Sequence, residues 1–98
     1  MTRPIFPMRP KFSLGQTVAT PGALQALKAA GQSPALFLSR HVQGDWGLVD
    51  AEDAQANQEA LQNGGRLLSA YETGLGTRLW VLTEADRSVT TILLPDEY

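Results

Sequence analysis

Residues 78–95, RLWVLTEADRSVTTILLP, contain the most apolar stretches of the chain and decide its fold. Residues 79–82 and 89–94 are rich in β-branched and aromatic side chains, which favour strands. The polar residues 84–88 between them include Asp and Ser, which are typical of turns. We therefore predict a β-hairpin, and we expect the hydrophobic core to be built on it.

Helix starts are marked at three places in the first two thirds of the chain. Thr20-Pro21 and Ser33-Pro34 each place a capping side chain before a proline that suits the first helical turn. They predict a helix from residue 21 to Gly31 and a second over residues 35–42 that ends at Gly44. Asp50, with Asp53 at the reciprocal capping position, predicts a third helix that ends at residues 64–65.

The apolar spacing predicts which helix faces are buried. Leu24 and Leu27 lie three residues apart and are expected to form the buried stripe of the first helix. Phe37 and His41 share one face of the second helix. The third helix is polar nearly all round and is expected to lie at the surface. It has only two apolar residues for a buried face, Ala54 and Leu61.

The period of the sequence changes from helical to alternating at Arg66, which predicts a strand over residues 66–73 and a glycine-containing hairpin loop before residue 78. Gly15 weakens a further short strand within residues 12–18. The prediction is an α+β domain with N-terminal helices packed on one face of a three- or four-stranded antiparallel meander. Residues 1–11 contain three prolines and are expected to form an extended basic arm, with a single domain over residues 12–98.

Composition excludes several classes of protein. The 98 residues include no cysteine, so disulfides, thiolate zinc sites and cysteine nucleophiles are excluded. We expect a cytoplasmic protein without a membrane partner, because no apolar run is long enough to span a bilayer and the start of the chain lacks the apolar centre of a signal peptide. No nucleotide-binding glycine pattern is present, so no cofactor is expected.

Charge is unevenly distributed around a net charge of −2. Residues 1–49 carry a net +4 and residues 50–98 a net −6. The two halves either attract each other within the fold or form solvated faces. Alternatively, the basic arm contacts a phosphate backbone or an acidic partner.

His41 and the adjacent Arg40 are the candidates for catalysis. A histidine can move a proton near neutral pH while an arginine stabilises phosphate charge, which is the chemistry of ribonucleases. A second acid or base would have to come from Glu84, Tyr71 or Asp45. The alternative is that His41 is a buried helix residue with a satisfied hydrogen bond.

Other polar and aromatic residues are candidates for binding. Residues 84–88 form either a solvated turn or a recognition tip. Trp46 and Trp80 are either core anchors or stacking platforms. The carboxylates of residues 45, 50 and 53 could group around a hard cation, but capping accounts for two of them, so no metal is expected. The candidate binding residues are Asp45, Trp46, Arg66, Asp86, Arg87 and Ser88.

The blocks RHVQGDWG (residues 40–47) and LWVLTEADRSVTTILLPDEY (residues 79–98), with GGRLLSAY between them, resemble a family of small bacterial proteins found on plasmids and other mobile DNA. Some members are labelled plasmid-related protein or type I restriction subunit M. The second label does not suit this chain, because 98 residues without a glycine-rich segment cannot form a methyltransferase domain. The resemblance implies a setting in mobile DNA without implying an activity.

The family's pattern singles out many polar residues of this chain. They are Arg40, His41, Gly44, Asp45, Trp46, Gly47, Asp53, Asn57, Arg66, Ser69, Trp80, Thr83, Glu84, Asp86, Arg87, Ser88, Thr90 and Thr91. The order of elements is also similar to that of barnase, EndoU and RelE-type ribonucleases, with a His/Arg pair before the sheet and a threonine on the last strand. By this analogy the catalytic set is His41, Arg40, Glu84 and Thr91.

Three functions follow from the sequence as alternatives. The leading hypothesis is a non-enzymatic binding or regulatory module that engages a protein partner through residues 40–50 and 84–88. The second is a metal-independent ribonuclease or toxin-like enzyme. The third is a nucleic-acid-binding protein that uses the basic arm. The sequence does not define the oligomeric state.

Overall fold

The computed structural model describes residues 9–98, so most of the predicted arm lies outside the described residues. Within the described part, no helix is long and apolar enough to cross a membrane. The chain forms strand β1 (Gln16–Ala19), then helices α1 (Pro21–Ala30), α2 (Pro34–Val42) and α3 (Ala51–Asn63). Strands β2 (Leu67–Glu72), β3 (Arg78–Thr83) and β4 (Val89–Leu93) follow, and a 3₁₀ turn (Pro95–Glu97) comes last.

The α+β class is confirmed, but the sheet is mixed and is not an antiparallel meander throughout. Its strand order is β1-β4-β3-β2. The last three strands of the chain form the predicted antiparallel meander, whereas β1 pairs in parallel with β4, from Gln16 beside Val89 to Ala19 beside Ile92. The four residues of β1 are too few for a clear alternating pattern, and their partner lies at the far end of the chain.

Gly15 allows β1 to enter the sheet at this point. Its φ of +64° is left-handed, and a Cβ there would lie 2.4 Å from the carbonyl oxygens of Arg87 and Ser88. Only glycine can pass so close to another backbone in this conformation. The residue that weakens the strand prediction is therefore the one that makes the pairing with β4 possible.

The main core joins α1 and α2 to the sheet. It consists of Ala23, Leu27, Phe37, Tyr71, Leu79, Val81 and Ile92. The strand residues of this cluster project from the same face, because Tyr71 is paired with Leu79, Val81 with Ile92, and residues 79 and 81 are two apart. A second cluster contains Trp46, Ala60 of α3 and Leu67.

The predicted helix starts are confirmed. The side chains of Thr20, Ser33 and Asp50 each accept a hydrogen bond from a backbone N–H in the first turn of α1, α2 and α3 respectively. Gly31 ends α1 in a left-handed conformation, as expected of a C-terminal glycine. Local chemistry alone therefore predicts where the three helices start, whereas α2 ends at Val42 and is capped by Gln43 rather than by the predicted Gly44.

The predicted buried stripe of α1 is wrong in one position. Leu24 is 50% exposed, and the buried residues of α1 are Ala23 and Leu27. These two are four residues apart and therefore lie on one face of the helix. The apolar spacing in α1 fits either stripe, and only the contact with the sheet distinguishes them.

The predicted apolar face of α3 is incomplete: Ala54 and Leu61 are half-buried and pack against the second cluster, but the buried residues of this helix are Asn57 and Ala60. The Asn57 amide donates to the Leu68 carbonyl at 2.8 Å and accepts from the Leu68 N–H at 3.0 Å. Burial of an amide is favourable here because both of its functions are satisfied. The side chain thereby bonds to the outer edge of β2.

The same edge of β2 is covered further along by residues 46–48. The Ala70 N–H donates to the Trp46 carbonyl at 3.1 Å, and the Leu48 N–H donates to the Ala70 carbonyl at 2.7 Å. Gly47 lies between them with φ +71°, and a Cβ there would lie 2.1 Å from the Ala70 carbonyl oxygen. This edge of the sheet therefore has few backbone groups left to bind another strand.

We predict that Gly47→Ala destabilises the fold much more than Gly76→Ala. Both glycines have a left-handed φ, but a Cβ at Gly76 meets nothing within 4 Å. The control substitution is expected to cost about 1 kcal/mol from backbone strain alone, and Gly47→Ala at least about 3 kcal/mol because the 46–48 segment must also move off β2. Urea unfolding measures both free energies. Equal losses for the two variants would contradict the described packing of Gly47 against β2.

Candidate functional site

His41 lies at the centre of a buried polar cluster. It projects from α2 with 0% of its surface exposed, one helical turn from the equally buried Phe37. Its Nδ1 lies 2.6 Å from the Ser69 Oγ, and its Nε2 lies 2.9 Å from the Thr83 Oγ1. The imidazole therefore bonds α2 to both β2 and β3.

The hydroxyl chain beyond His41 fixes its tautomer. The Thr90 Oγ1 donates its only proton to the Leu14 carbonyl at 2.7 Å. It must therefore accept the bond from the Thr83 Oγ1, 2.7 Å away, and Thr83 in turn must accept from the imidazole. This order places the His41 proton on Nε2 and leaves Nδ1 to accept from Ser69.

Aromatic residues close the cluster from solvent. The ring centroids of Phe12 and Trp46 lie 5.1 Å and 5.9 Å from the imidazole, and both rings meet it edge-on. The segment that carries Phe12 is held by a bond from the Lys11 N–H to the Val42 carbonyl and by the Leu14 bond to Thr90. Burial, together with the positive charge of Arg87, lowers the pKa of His41 to about 4.

This geometry has a direct consequence for the predicted catalytic set. Both imidazole nitrogens are engaged by the protein, and the ring has no exposed surface. Thr83 and Thr90 are cross-strand partners on the face that His41 contacts, so the half-buried Thr91 projects from the opposite face. The Glu84 carboxylate is bonded to Arg66 at 3.1 Å. The structure does not bring Thr91 to His41.

Arg40 points away from the cluster and belongs to a surface arrangement. Its Nε donates to Asp45 at 2.7 Å, and its guanidinium lies 4.5 Å from the centre of the Tyr71 ring. The bond to Arg40 lowers the pKa of Asp45, and a further bond from the Gly47 N–H adds to this effect. The Tyr71 hydroxyl donates to the Asp45 carbonyl, and burial raises the pKa of Tyr71 to about 12.

Arg87 stabilises the hairpin and the end of α3. Its guanidinium donates to four carbonyl groups, those of Ala60, Gly65, Glu84 and Ala85. Its φ of +60° is left-handed, which costs roughly 1–2 kcal/mol in a residue with a Cβ. The carbonyl bonds offset this strain, and they place a positive charge at the C-terminus of a helix, where the dipole favours it.

Residues 40–50 and 84–88 meet across one side chain, Phe12. The Phe12 ring stacks on Trp46 of the first segment, with 6.3 Å between the ring centroids. The guanidinium of Arg87, in the second segment, lies 5.8 Å from the centre of the same ring. Phe12 was absent from the predicted site. The two candidate recognition segments are therefore joined by a contact within the protein. The side chains of Trp46 and Arg87 make this contact.

Of the remaining predicted binding residues, Arg66, Asp86 and Ser88 lie at the surface, whereas Trp46 does not. Arg66 is exposed and also donates to the Tyr98 hydroxyl at 2.9 Å. Asp86 accepts from the Ser88 N–H within the exposed turn, and the bonds to Ser88 lower the pKa of Asp86. Trp46 is buried, and within residues 9–98 its indole Nε1 has no hydrogen-bond partner. Trp80 is half-buried against Tyr98 at 5.8 Å.

The sequence indicates in part which residues complete the His41 cluster. Ser69, Thr83 and Thr90 are fully buried hydroxyl residues in strands whose other inward positions are apolar. The family pattern includes all three, but spacing alone does not show that they meet. In the described part of the chain, no group of three or more His, Asp or Glu side chains could hold a metal ion.

A second surface feature lies at the opposite edge of the sheet, along β1. A groove of about 230 Å³ is lined by Thr17, Val18, Ala19, Leu24, Pro34, Leu38 and Ile92. Val18 and Leu24 are 41% and 50% exposed, although both are apolar. We call this feature the β1 groove.

Some backbone hydrogen-bonding groups of β1 beside this groove have no partner among residues 9–98. The N–H groups of Gln16 and Thr20 donate to Ser88 and Ile92 of the β4 side. Because bonding alternates along a parallel strand, the N–H and C=O groups of Thr17 and Ala19 point outward. No other strand formed by residues 9–98 covers this edge.

We predict that stability falls as the pH is lowered from 7 to 5. The unfolded chain binds a proton at its one histidine near pH 6.5, whereas folded His41 does so only near pH 4. Unfolding therefore takes up a proton in this window, and by pH 5 the loss is expected to be about 2 kcal/mol. The carboxylates with a lowered pKa, those of Asp45, Asp86 and Glu97, lose their contribution mainly below this window. Urea unfolding at each pH measures the loss, and a constant free energy would contradict the buried neutral imidazole.

Comparison with known proteins identifies no relative. No protein-family model matches the chain, and no curated protein or solved structure matches it either. The resemblance to proteins of bacterial mobile DNA therefore remains a prediction.

Proposed function

We propose that this chain is a non-enzymatic protein-binding module that serves a mobile element in the bacterial cytoplasm. The observation that carries the proposal is the contrast between two regions. The polar residues around His41 are bonded within the fold. The edge of β1 instead combines exposed apolar side chains with backbone groups that no other described residue binds. The binding surface that we propose is therefore the β1 groove and the adjoining strand edge.

The state of His41 favours binding over the ribonuclease hypothesis. A general acid or base must reach the proton it transfers, and it works best with a pKa near the operating pH. His41 is fully buried and both of its nitrogens are occupied. Its lowered pKa keeps the ring neutral, so it would not supply an acid near pH 7.

The two edges of the sheet also support a binding role for β1. The edge of β2 is covered by residues 46–48 and by the Asn57 amide. Proteins usually protect exposed edges with charged residues, proline or a bulge. β1 reads QTVA, with neither a charge nor a proline. An unprotected edge beside apolar side chains is the arrangement that accepts a further strand.

The helices complete this surface. The core contacts of α1 and α2 support an arrangement with the helices on one face of the sheet. In that arrangement Leu24 of α1 and Leu38 of α2 form one wall of the β1 groove, above the strand edge. A partner strand could then bind the backbone of β1 while its side chains enter the groove. This mode of binding needs neither a metal nor a cofactor.

We predict that Leu24→Asp abolishes binding of a protein partner and that Leu75→Asp does not. Both leucines are exposed, at 50% and 69%, so neither substitution should unfold the chain, but only Leu24 lines the groove. Bacterial proteins and a co-expressed untagged copy of the chain, retained by tagged wild-type protein and by each variant, are compared by quantitative mass spectrometry. We expect at least a tenfold loss of specific partners for Leu24→Asp alone.

The same cells separate this proposal from the ribonuclease hypothesis. Expression of the wild-type chain is expected to leave growth and total RNA unchanged. Growth arrest with RNA cleavage that Arg40→Ala abolishes, in a folded protein, would contradict a non-enzymatic role. Retention of the same proteins by wild type and both leucine variants would show that the β1 groove is not the binding surface.

A further inference from the structure

The backbone groups of β1 that point away from β4 are arranged symmetrically about Val18. The outward-pointing N–H and C=O groups belong to Thr17 and Ala19, one residue to either side of it. In an antiparallel pair, two opposite residues can exchange both of their backbone hydrogen bonds. A two-fold axis beside Val18 would therefore place Thr17 of each copy opposite Ala19 of the other copy. Two such residue pairs would form, one on either side of the axis.

We propose that the β1 groove is occupied by a second copy of this chain, with the two β1 strands paired antiparallel about Val18. This pairing forms four backbone hydrogen bonds and joins two four-stranded sheets into one of eight strands. The inference rests on the proposed function, because it names the partner of the same surface.

Side-chain size and charge favour a second copy. In a two-fold interface each residue near the axis faces its own equivalent, so any charge there meets a like charge. Residues 16–19 carry no charge. Val18 would contact Val18 of the second copy on one face of the joined sheet, and β-branched cross-strand pairs are favourable. On the other face the small side chains of Thr17 and Ala19 leave room for the flanking helices to approach.

The exposed apolar residues near β1 are placed to extend this contact. Leu24 and Leu38 line the groove, and Leu24 is 50% exposed. A pair of four-residue strands alone covers much less than the roughly 800 Å² per partner of a stable interface. The flanking leucines must therefore contribute, and the dimer is expected to be weak and reversible, with a dissociation constant on the order of micromolar.

The protein alone suffices for the test. Sedimentation velocity of the wild-type chain, from low micromolar to near-millimolar concentration, is expected to show an average mass that rises towards twice the monomer mass. Val18→Lys places two like charges at the axis and should weaken association at least tenfold. Val18→Thr, which keeps a β-branched side chain, is the matched control and should stay within threefold of wild type.

Amide hydrogen exchange identifies the interface. The N–H groups of Thr17 and Ala19 are expected to exchange more slowly as the concentration of wild-type protein rises. The N–H groups of Gln16 and Thr20, which already bond to the β4 side, should change much less. Circular dichroism confirms that Val18→Lys is folded. Thr17→Pro removes one of the outward N–H groups without adding a charge, and it should also give a monomer.

Two results would overturn the proposal. One is a wild-type chain that stays monomeric at every concentration; the other is a dimer that neither Val18→Lys nor Thr17→Pro weakens. These failures are distinguishable from failure of the proposed function. A monomeric chain that still retains other proteins in a Leu24-dependent manner would show that the groove binds a different partner.

Discussion

A buried neutral imidazole, bonded at both nitrogens, is the interaction on which the rest of this structure depends. His41 joins α2 to β2 and β3 through Ser69 and Thr83. The hydroxyl chain continues through Thr90 to the backbone of Leu14, immediately before the glycine that leads into β1. One side chain therefore connects a helix, three strands and the segment that starts the sheet. Its burial requires the Phe12 and Trp46 rings, which in turn bring residues 40–50 and 84–88 together.

Because of this constraint, several side chains of types that often act in catalysis are not available to a substrate. Arg40, Asp45 and Tyr71 bond to one another, Arg87 bonds to carbonyl groups, and His41 is closed from solvent. A set of side chains typical of a ribonuclease can thus be present because these side chains stabilise the fold. The edge of β1 instead presents apolar side chains and outward-pointing backbone groups, and it is on this surface that we base the proposal of a binding role.

Local chemistry made much of the fold predictable. Helix caps, the terminal hairpin and the antiparallel meander follow from residues that act on their near neighbours. The parallel pairing of β1 and the exposure of Leu24 were not predictable, because both depend on contacts between distant parts of the chain. Within the site, His41 was predicted either to catalyse or to be buried and bonded, and the geometry supports the second alternative. Phe12 was missed because an aromatic residue after a proline-rich segment carries no distinctive pattern.

Nuclear magnetic resonance of the chain labelled with ¹⁵N at histidine reports directly whether the His41 imidazole is buried, neutral and bonded at both nitrogens. The single histidine makes the assignment unambiguous, and the two ring nitrogens report protonation and tautomer separately. We predict a neutral ring near pH 6 with its proton on Nε2 and a hydrogen-bonded, unprotonated Nδ1. A proton on Nδ1 in the neutral ring, or a ring that titrates near its ordinary value of 6.5, would contradict this prediction.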